Sequence, residues 1–321
     1  VENGRLYSYA GRNSSWRWSY VKQVNYVNSN STAKWTIERA KIGSPTIVNL
    51  VAQTEAPLEN SARITQNLLA PTPAPDGGVT TPPITNGAIW IPPLNTSWQW
   101  QLTGLPVDQS VNVTMFDIDL FDNDASVIAS LHAKGKKVIC YFSAGSFEDW
   151  RPDAAAFPAS ILGASNGWPG ERWLDIRNLA VLGPIMKARL DLAVKKGCDG
   201  VEPDNVDGYT NTTGFPLTYA NQITFNRFIA AEAHARNLSV GLKNDVSQVN
   251  DLVQDFDWAL NEQCFQYSEC ETLLPFINQG KAVFHVEYNL SASQFCAQAN
   301  AMNFNSLEKD LDLGVARQAC R

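Results

Sequence analysis

From Trp98 onward, short apolar runs ending in polar residues alternate with amphipathic stretches. The run VNVTMFDID (111–119) precedes a helical pattern from about Asp124 to Lys134, and KKVICYFS (136–143) follows it. Gly135, Gly197 and Gly280 each close a helical stretch just before a new strand-like run, as helix-ending glycines do. Pro184 suits the first position of a helix PIMKARLDLAVKK, in which Met186, Leu190, Ala193 and Val194 make one apolar stripe. Apolar runs at 111–118, 137–143, 173–176, 199–202, 239–243, 257–261, 282–286 and 304–308 predict eight strands. Residues 98–321 number 224, or 28 for each strand–helix unit, which fits an α/β fold closed as a (β/α)8 TIM barrel over 94–321. A doubly wound sheet is the alternative, but no GxGxxG or GxxxxGK[ST] opens a helix.

The pattern before Trp98 differs. Residues 71–93, PTPAPDGGVTTPPITNGAIWIPP, are too rich in Pro and Gly for a helix or central strand and predict a linker or wrapped arm. Residues 1–70 are rich in Asn, Ser and Thr, and Trp16-Arg17-Trp18-Ser19-Tyr20 alternates like a strand with one aromatic face. They predict a β-type accessory segment, whose Trp16, Trp18 and Trp35 either stack on sugars or pack on the main domain.

Charge and cysteine usage narrow the setting. The net charge of −7 and pI near 5.1 argue against a phosphate-tracking nucleic-acid binder. No run of about 18 apolar residues exists, so no membrane span is expected. The start, Val1-Glu2-Asn3-Gly4-Arg5, carries no apolar signal core and reads as the beginning of a mature chain. Seven glycosylation acceptors (Asn13, Asn30, Asn95, Asn112, Asn211, Asn237, Asn289) and an even count of six cysteines point to secretion. Cys264 with Cys270, and Cys296 with Cys320, look like two local disulfide staples. Cys140 and Cys198 are equally compatible with buried thiols or a bridge.

In a barrel of this kind the active site lies at the C-terminal strand ends. Those ends carry Asp117 and Asp119, Glu148, Asp175, Glu202 and Asp204, Asp245, Glu262, Glu287, and Glu308 with Asp310, which together outline an acidic cup. In Gly200-Val-Glu202-Pro203-Asp204, the two acids are two apart and share one strand face, and Pro203 marks the strand's finish. In Trp258-Ala-Leu-Asn-Glu262, an apolar strand delivers a second carboxylate to the rim. Opposed carboxylates are what glycosidic cleavage needs: one protonates the leaving oxygen, and the other attacks the anomeric carbon or activates water. Rival chemistries lack their motifs. Phe142-Ser143-Ala144-Gly145-Ser146 is not a GxSxG elbow, and Asp117–Asp124 lacks the glycine and twelfth-position acid of a calcium loop. Of three histidines, His285 reads as a buried, satisfied one. Trp150, Trp168 and Trp173 are candidates for stacking on sugar faces or for the core.

The segments WQWQL (98–102), FDIDLFD (116–122), KKVICYFSAGSFEDWRPD (136–153), GWPGERWLDIR (167–177), KKGCDGVEPDNVDGY (195–209), VGLKND (240–245), NEQCFQYSEC (261–270) and KAVFHVEY (281–288) resemble glycoside hydrolase family 114. These are endo-α-1,4-polygalactosaminidases, and the resemblance covers residues 90–321. It implies a (β/α)8 barrel, endo-cleavage of α-1,4-linked galactosamine in partly deacetylated galactosaminogalactan, and retention of configuration. It implies Asp204 as nucleophile and Glu262 as acid/base. Around them, Asp117, Asp119, Tyr141, Glu202, Asp207, Lys243, Asn244, Glu287 and Tyr288 are the expected substrate-binding residues: Asp119, Asp207 and Glu287 for the amines or hydroxyls of deacetylated units, which a cup of carboxylates attracts, and Tyr141, Lys243 and Tyr288 to position the ring. No metal or other cofactor is expected, and the chain is read as a secreted monomer whose partner is a cationic polysaccharide. A barrel glycosidase for another α-linked polymer, or a sugar-binding barrel without activity, are the competing readings.

Overall fold

The computed structural model describes residues 89–321 and, before them, the backbone of six strands. The chain divides into two units, Val1–Pro83 and Ile84–Arg321. In the first, Arg5–Tyr9 pairs with Trp18–Gln23, Asn25–Ser29 with Thr32–Thr36, and Ile47–Ala52 with Ala62–Asn67, all antiparallel. Trp18 and Trp35 fall on these strands, whereas Trp16, Asn13, Asn30 and most of the expected linker, 71–88, lie outside the described residues.

In the second unit, period-two alternation splits each strand between an interior and an outer face. Eight parallel strands run in chain order: β1 (Trp98–Gln101), β2 (Met115–Asp119), β3 (Lys137–Ser143), β4 (Gly200–Asp204), β5 (Ser239–Lys243), β6 (Trp258–Glu262), β7 (Val283–Glu287) and β8 (Asn305–Glu308). The sheet curls until β1 meets β8, where Trp98 Nε1 donates to the Asn305 carbonyl at 2.9 Å. Gln99 Nε2 donates to the Val315 carbonyl at 2.8 Å, closing the same seam. Large rings (Trp98, Trp100, Trp258, Phe284) fill the barrel below its mouth. Gly241 makes room for them, because a Cβ there would overlap the Trp258 indole. Outside the barrel, Phe116, Val138, Phe142, Val201 and Leu242 pack under the helical layer, and each fully buried large apolar side chain contributes about 1.5–3 kcal/mol.

The helices are α1 (Ala125–Ala133), α2 (Leu179–Lys196), α3 (Tyr219–His234), α4 (Val249–Leu252), α5 (Leu274–Asn278) and α6 (Ala292–Ala301). Two expectations change in detail. The run 173–176 is no barrel strand: Glu171–Leu174 is the middle of a three-stranded antiparallel sheet with Ser146–Glu148 and Leu162–Ser165, inserted between β3 and α2. Its place in the count of eight is taken by Trp98–Gln101. Pro184 lies inside α2, which starts at Leu179, and Val194 is exposed while Met186, Leu190 and Ala193 are buried. Disulfides join Cys264 to Cys270, Cys296 to Cys320, and also Cys140 to Cys198, tying β3 to the chain just beyond α2. The five described acceptor asparagines (Asn95, Asn112, Asn211, Asn237, Asn289) are all exposed. No helix among the described residues is long and apolar enough to cross a membrane.

Candidate active site

The inward faces of β4, β5 and β6 carry Glu202 with Asp204, Lys243, and Glu262 to the barrel mouth. Lys243 is enclosed. Its Nζ lies 2.8 Å from Glu202 Oε1, 3.2 Å from Asp204 Oδ1 and 3.4 Å from Glu262 Oε2. It also sits over the Trp100 ring, 4.7 Å from the centroid, a favourable place for a cation. Burial works against its charge, but Asp204, Glu202 and Glu262 outweigh burial and hold its pKa well above the usual lysine value. Because one nitrogen lies 3.2 Å from Asp204 and 3.4 Å from Glu262, those two oxygens are at most 6.6 Å apart.

Each of these two carboxylates is only partly open, with side-chain exposures of 19% for Asp204 and 25% for Glu262. Asp204 Oδ2 accepts from the Tyr141 hydroxyl at 2.9 Å and Oδ1 from the Asn205 backbone N–H at 2.8 Å. Glu262 Oε1 accepts from the Tyr288 hydroxyl and Oε2 from Asn244 Nδ2 at 3.1 Å. Burial first, then the neighbouring carboxylate, pushes both tyrosines above their ordinary pKa, so both hydroxyls keep their protons. The strand ends stop abruptly. Asn205, Asn244, Asp245 and Gln263 all take left-handed backbone conformations, which cost about 1–3 kcal/mol each when bulky residues adopt them and least for Asn and Asp. Gly145 lies against the Asn205 carbonyl so closely that a Cβ would overlap it. The Ala144 and Gly145 amides donate to the Asp204 carbonyl at 2.9 and 3.1 Å, fixing the backbone behind its side chain.

A cavity of about 510 Å³ opens beside Glu262, within the usual range for ligand pockets. Asp207, Asp245, Asn244 and Tyr288 line it, with Trp168 and Tyr267. Burial, then Asp204, lifts the Asp207 pKa to about 6. Burial, then Asp207, lifts that of Asp245 to about 9. Asp245 Oδ2 accepts from Asn226 Nδ2 at 2.8 Å, while its Oδ1 has no partner.

Of the expected substrate-binding residues, Tyr141, Asp207, Lys243, Asn244 and Tyr288 gather around Asp204 and Glu262. Four others do not. Asp117 and Glu202 lie fully buried on the barrel floor. Glu202 accepts from Lys243 and, at 3.0 Å, from Trp100 Nε1. Burial, then Glu202, raises the Asp117 pKa well above normal, so this carboxyl keeps its proton and donates it toward Glu202. Asp119 is taken by Arg151 in a two-bonded fork at 2.9 and 2.7 Å. Glu287 points out of the barrel, where its Oε1 accepts from the Phe265 and Gln266 amides and from His285. Three other rim acids are spent similarly, Glu148 on Arg151, Asp175 on Arg177, and Glu308 on the Ala292 amide that opens α6, while Asp310 is exposed. The cup is therefore narrower than the strand ends alone indicate. His285 is buried and doubly bonded, and Trp173 belongs to the core. The Cys264 and Cys270 sulfurs lie close to His285, but both are committed to their disulfide. Asn205 and Trp100 escaped sequence reasoning. The Asn directly after a strand-end acid was the available signal for the first.

The family model described as glycoside-hydrolase family GH114 matches residues 79–321. Among solved structures, the chain is similar to Ega3 of Aspergillus fumigatus, determined in complex with galactosamine. The two are 46% identical with a TM-score of 0.69, over 73% of this chain and 99% of that one. The glycoside hydrolase domain of PelA from Pseudomonas aeruginosa, 13% identical, shares the fold with a TM-score of 0.57 over 70% of this chain and 98% of that one. An uncharacterized protein of Deinococcus radiodurans is 31% identical over 160 residues, 44% of this chain, and the match spans 50% of that relative's length.

Proposed function

The chain belongs to glycoside-hydrolase family GH114, and from that premise we propose that it is a secreted, endo-acting enzyme cleaving α-1,4-linked galactosamine in partly deacetylated galactosaminogalactan, with retention of configuration. The galactosamine complex of Ega3, at 46% identity, supports the sugar. The exposed acceptor asparagines and three disulfides support an oxidising, extracellular setting. We assign the barrel to 94–321, leave 1–70 as an accessory unit joined by 71–93, and take the enzyme as a monomer.

The observation that carries the reading is the single ammonium of Lys243 within 3.4 Å of both carboxylates. Retaining glycosidases hold their acids roughly 5–5.5 Å apart and inverting ones roughly 6.5–9.5 Å. The ceiling of 6.6 Å on the Asp204 Oδ1–Glu262 Oε2 distance brings the two carboxylates within reach of one glycosidic bond and admits the retaining separation. In the first step Glu262 gives its proton to the glycosidic oxygen as Asp204 attacks the anomeric carbon. The C–O bond breaks with its electron pair on the leaving sugar, and a covalent glycosyl–Asp204 ester forms. In the second, Glu262 takes a proton from water, whose oxygen displaces Asp204. Glu262 must therefore change protonation state twice. Tyr288 serves both forms, because a hydroxyl donates to the carboxylate and accepts from the acid. Asp204 attacks through a carboxylate oxygen, and Lys243, Tyr141 and the Asn205 amide hold that carboxylate in place.

Glu262→Gln and Asp204→Asn should each lose at least a thousandfold in kcat on galactosaminogalactan, with products of wild-type enzyme read by mass spectrometry and their first-formed anomer by NMR. Rates within tenfold of wild type would remove that residue from its role. Inverted product would overturn retention, and turnover on starch alone would overturn the sugar.

A further inference from the structure

Two of the most exposed large rings in the barrel unit, Trp168 at 55% and Tyr267 at 61%, line the same cavity as Glu262. A lone exposed aromatic is ordinary. Two on one cavity, each on a loop tied down without packing its ring, are not. The turn bearing Trp168 is closed by its own amide donating to Asn166 Oδ1 at 3.1 Å, and the Glu171 amide donates to the Trp168 carbonyl at 3.1 Å. Glu171 Oε2 then accepts from Asn166 at 2.6 Å and from Ser146 Oγ at 2.9 Å, and Asn205 Nδ2 donates to Ser146 Oγ at 3.3 Å. This chain ends at the residue after Asp204. The loop bearing Tyr267 starts at the residue after Glu262. It is stapled by Cys264–Cys270, closed by the Glu269 amide donating to the Cys264 carbonyl at 2.9 Å, and pinned by Glu287 accepting from the Phe265 amide at 2.8 Å. That is the work Glu287 does in place of meeting substrate.

We propose that Trp168 and Tyr267 are the two stacking platforms of a polymer-binding groove, each held in register with one of the paired carboxylates, so that sugar rings flanking the cut bond lie with their apolar faces on these aromatics. The inference rests on the polysaccharide-cleaving reading above and adds to it what grips the chain. Pyranose C–H faces stack on aromatic rings, and a protonated amino sugar gains further attraction to the indole face. Neither ring touches the reacting atoms, so their energy belongs to ground and transition state alike and acts through KM.

Trp168→Ala and Tyr267→Ala should each raise KM for polymeric galactosaminogalactan by about two- to tenfold, the range that aromatic stacking energies give. Their kcat should move much less, and products should shift in length. Trp168→Phe and Tyr267→Phe, which keep a ring, should recover most of the lost KM. An unchanged KM in either alanine variant, or a loss that falls on kcat instead, overturns the two-sided groove. Starch and pectin are assayed in parallel. Wild-type turnover confined to one of them overturns the galactosamine reading only, and the KM comparison is then made on that polymer. A wild type silent on all three overturns both.

Discussion

Asn244 holds Glu262 at two points: its Nδ2 donates to Glu262 Oε2 at 3.1 Å, and its Oδ1 accepts from the Glu262 backbone N–H at 2.9 Å. The amide thus fixes both the strand end and the carboxylate tip of the proposed acid/base. Asn244→Asp keeps the size but turns the donor into an acceptor facing Oε2. We expect kcat to fall by about ten- to a hundredfold, the cost of a displaced acid–base group. KM should change little. A kcat within twofold of wild type would mean that the clamp is not needed.

Lys243 predicts a stability effect separable from activity. Replacing it with Met leaves Glu202, Asp204 and Glu262 facing one another, and breaking such a buried pair costs about 3–5 kcal/mol. The sign with pH follows from the groups left behind. Burial already pushes the Glu202 carboxyl up to about 7 with Lys243 beside it, so without that cation it takes up a proton more readily still, and the penalty of its charge fades as pH falls. Lys243→Met should therefore melt well below wild type at pH 7, with the gap in Tm narrowing toward pH 4. A gap that stays constant with pH would point to lost packing alone.

Asp207, with its pKa pushed up to about 6, should give a pH dependence to substrate binding in the proposed site. Below pH 6 it gains a proton and loses the charge that would meet a substrate ammonium, which stays protonated. KM for fully deacetylated oligomers should climb as pH drops from 7 to 5, while KM for acetylated oligomers stays nearly flat. Asp207→Asn should show the high KM at both pH values. Parallel pH profiles for the two substrates would break the link to the amine.

The sequence carries the two central acids because both sit where an apolar run ends, Glu262 after Trp258-Ala-Leu-Asn and Asp204 after Pro203. It does not tell which strand-end acids stay open. Asp119 is claimed by Arg151, 32 residues on, and no local pattern announces that pairing. On β7, Val283, Phe284 and Val286 are apolar on both faces, so alternation leaves Glu287 free to point either way until the neighbouring loop arrives. Glu171–Leu174 and Trp98–Gln101 show the same limit for strands. Hydrophobicity reports that Trp173 and Leu174 are buried but not that their partners are antiparallel. In Trp98-Gln-Trp-Gln the polar half is satisfied by carbonyls such as that of Val315, 216 residues beyond Gln99.

Asp245 should cost the folded protein stability as pH rises. Its pKa of about 9 means that the folded protein keeps a proton there at pH 7, whereas the unfolded chain, with an ordinary value of about 3.9, releases it. Unfolding is favoured by that release, so the stability wild type loses at this site grows as pH rises from about 4 toward 9. At pH 7 the shift sets an upper limit of about 4 kcal/mol. Asp245→Asn has no proton to release. Its carbonyl oxygen can accept from Asn226 Nδ2 as the carboxyl does, and its NH2 can occupy the place of the unpartnered Oδ1 and donate toward Asp207. The variant should be more stable than wild type by roughly 2–4 kcal/mol at pH 7, with the difference vanishing near pH 4. Chemical denaturation at the two pH values measures it. Equal stability at both, or a variant less stable at pH 7, would show that Asp245 is ionised in the folded protein.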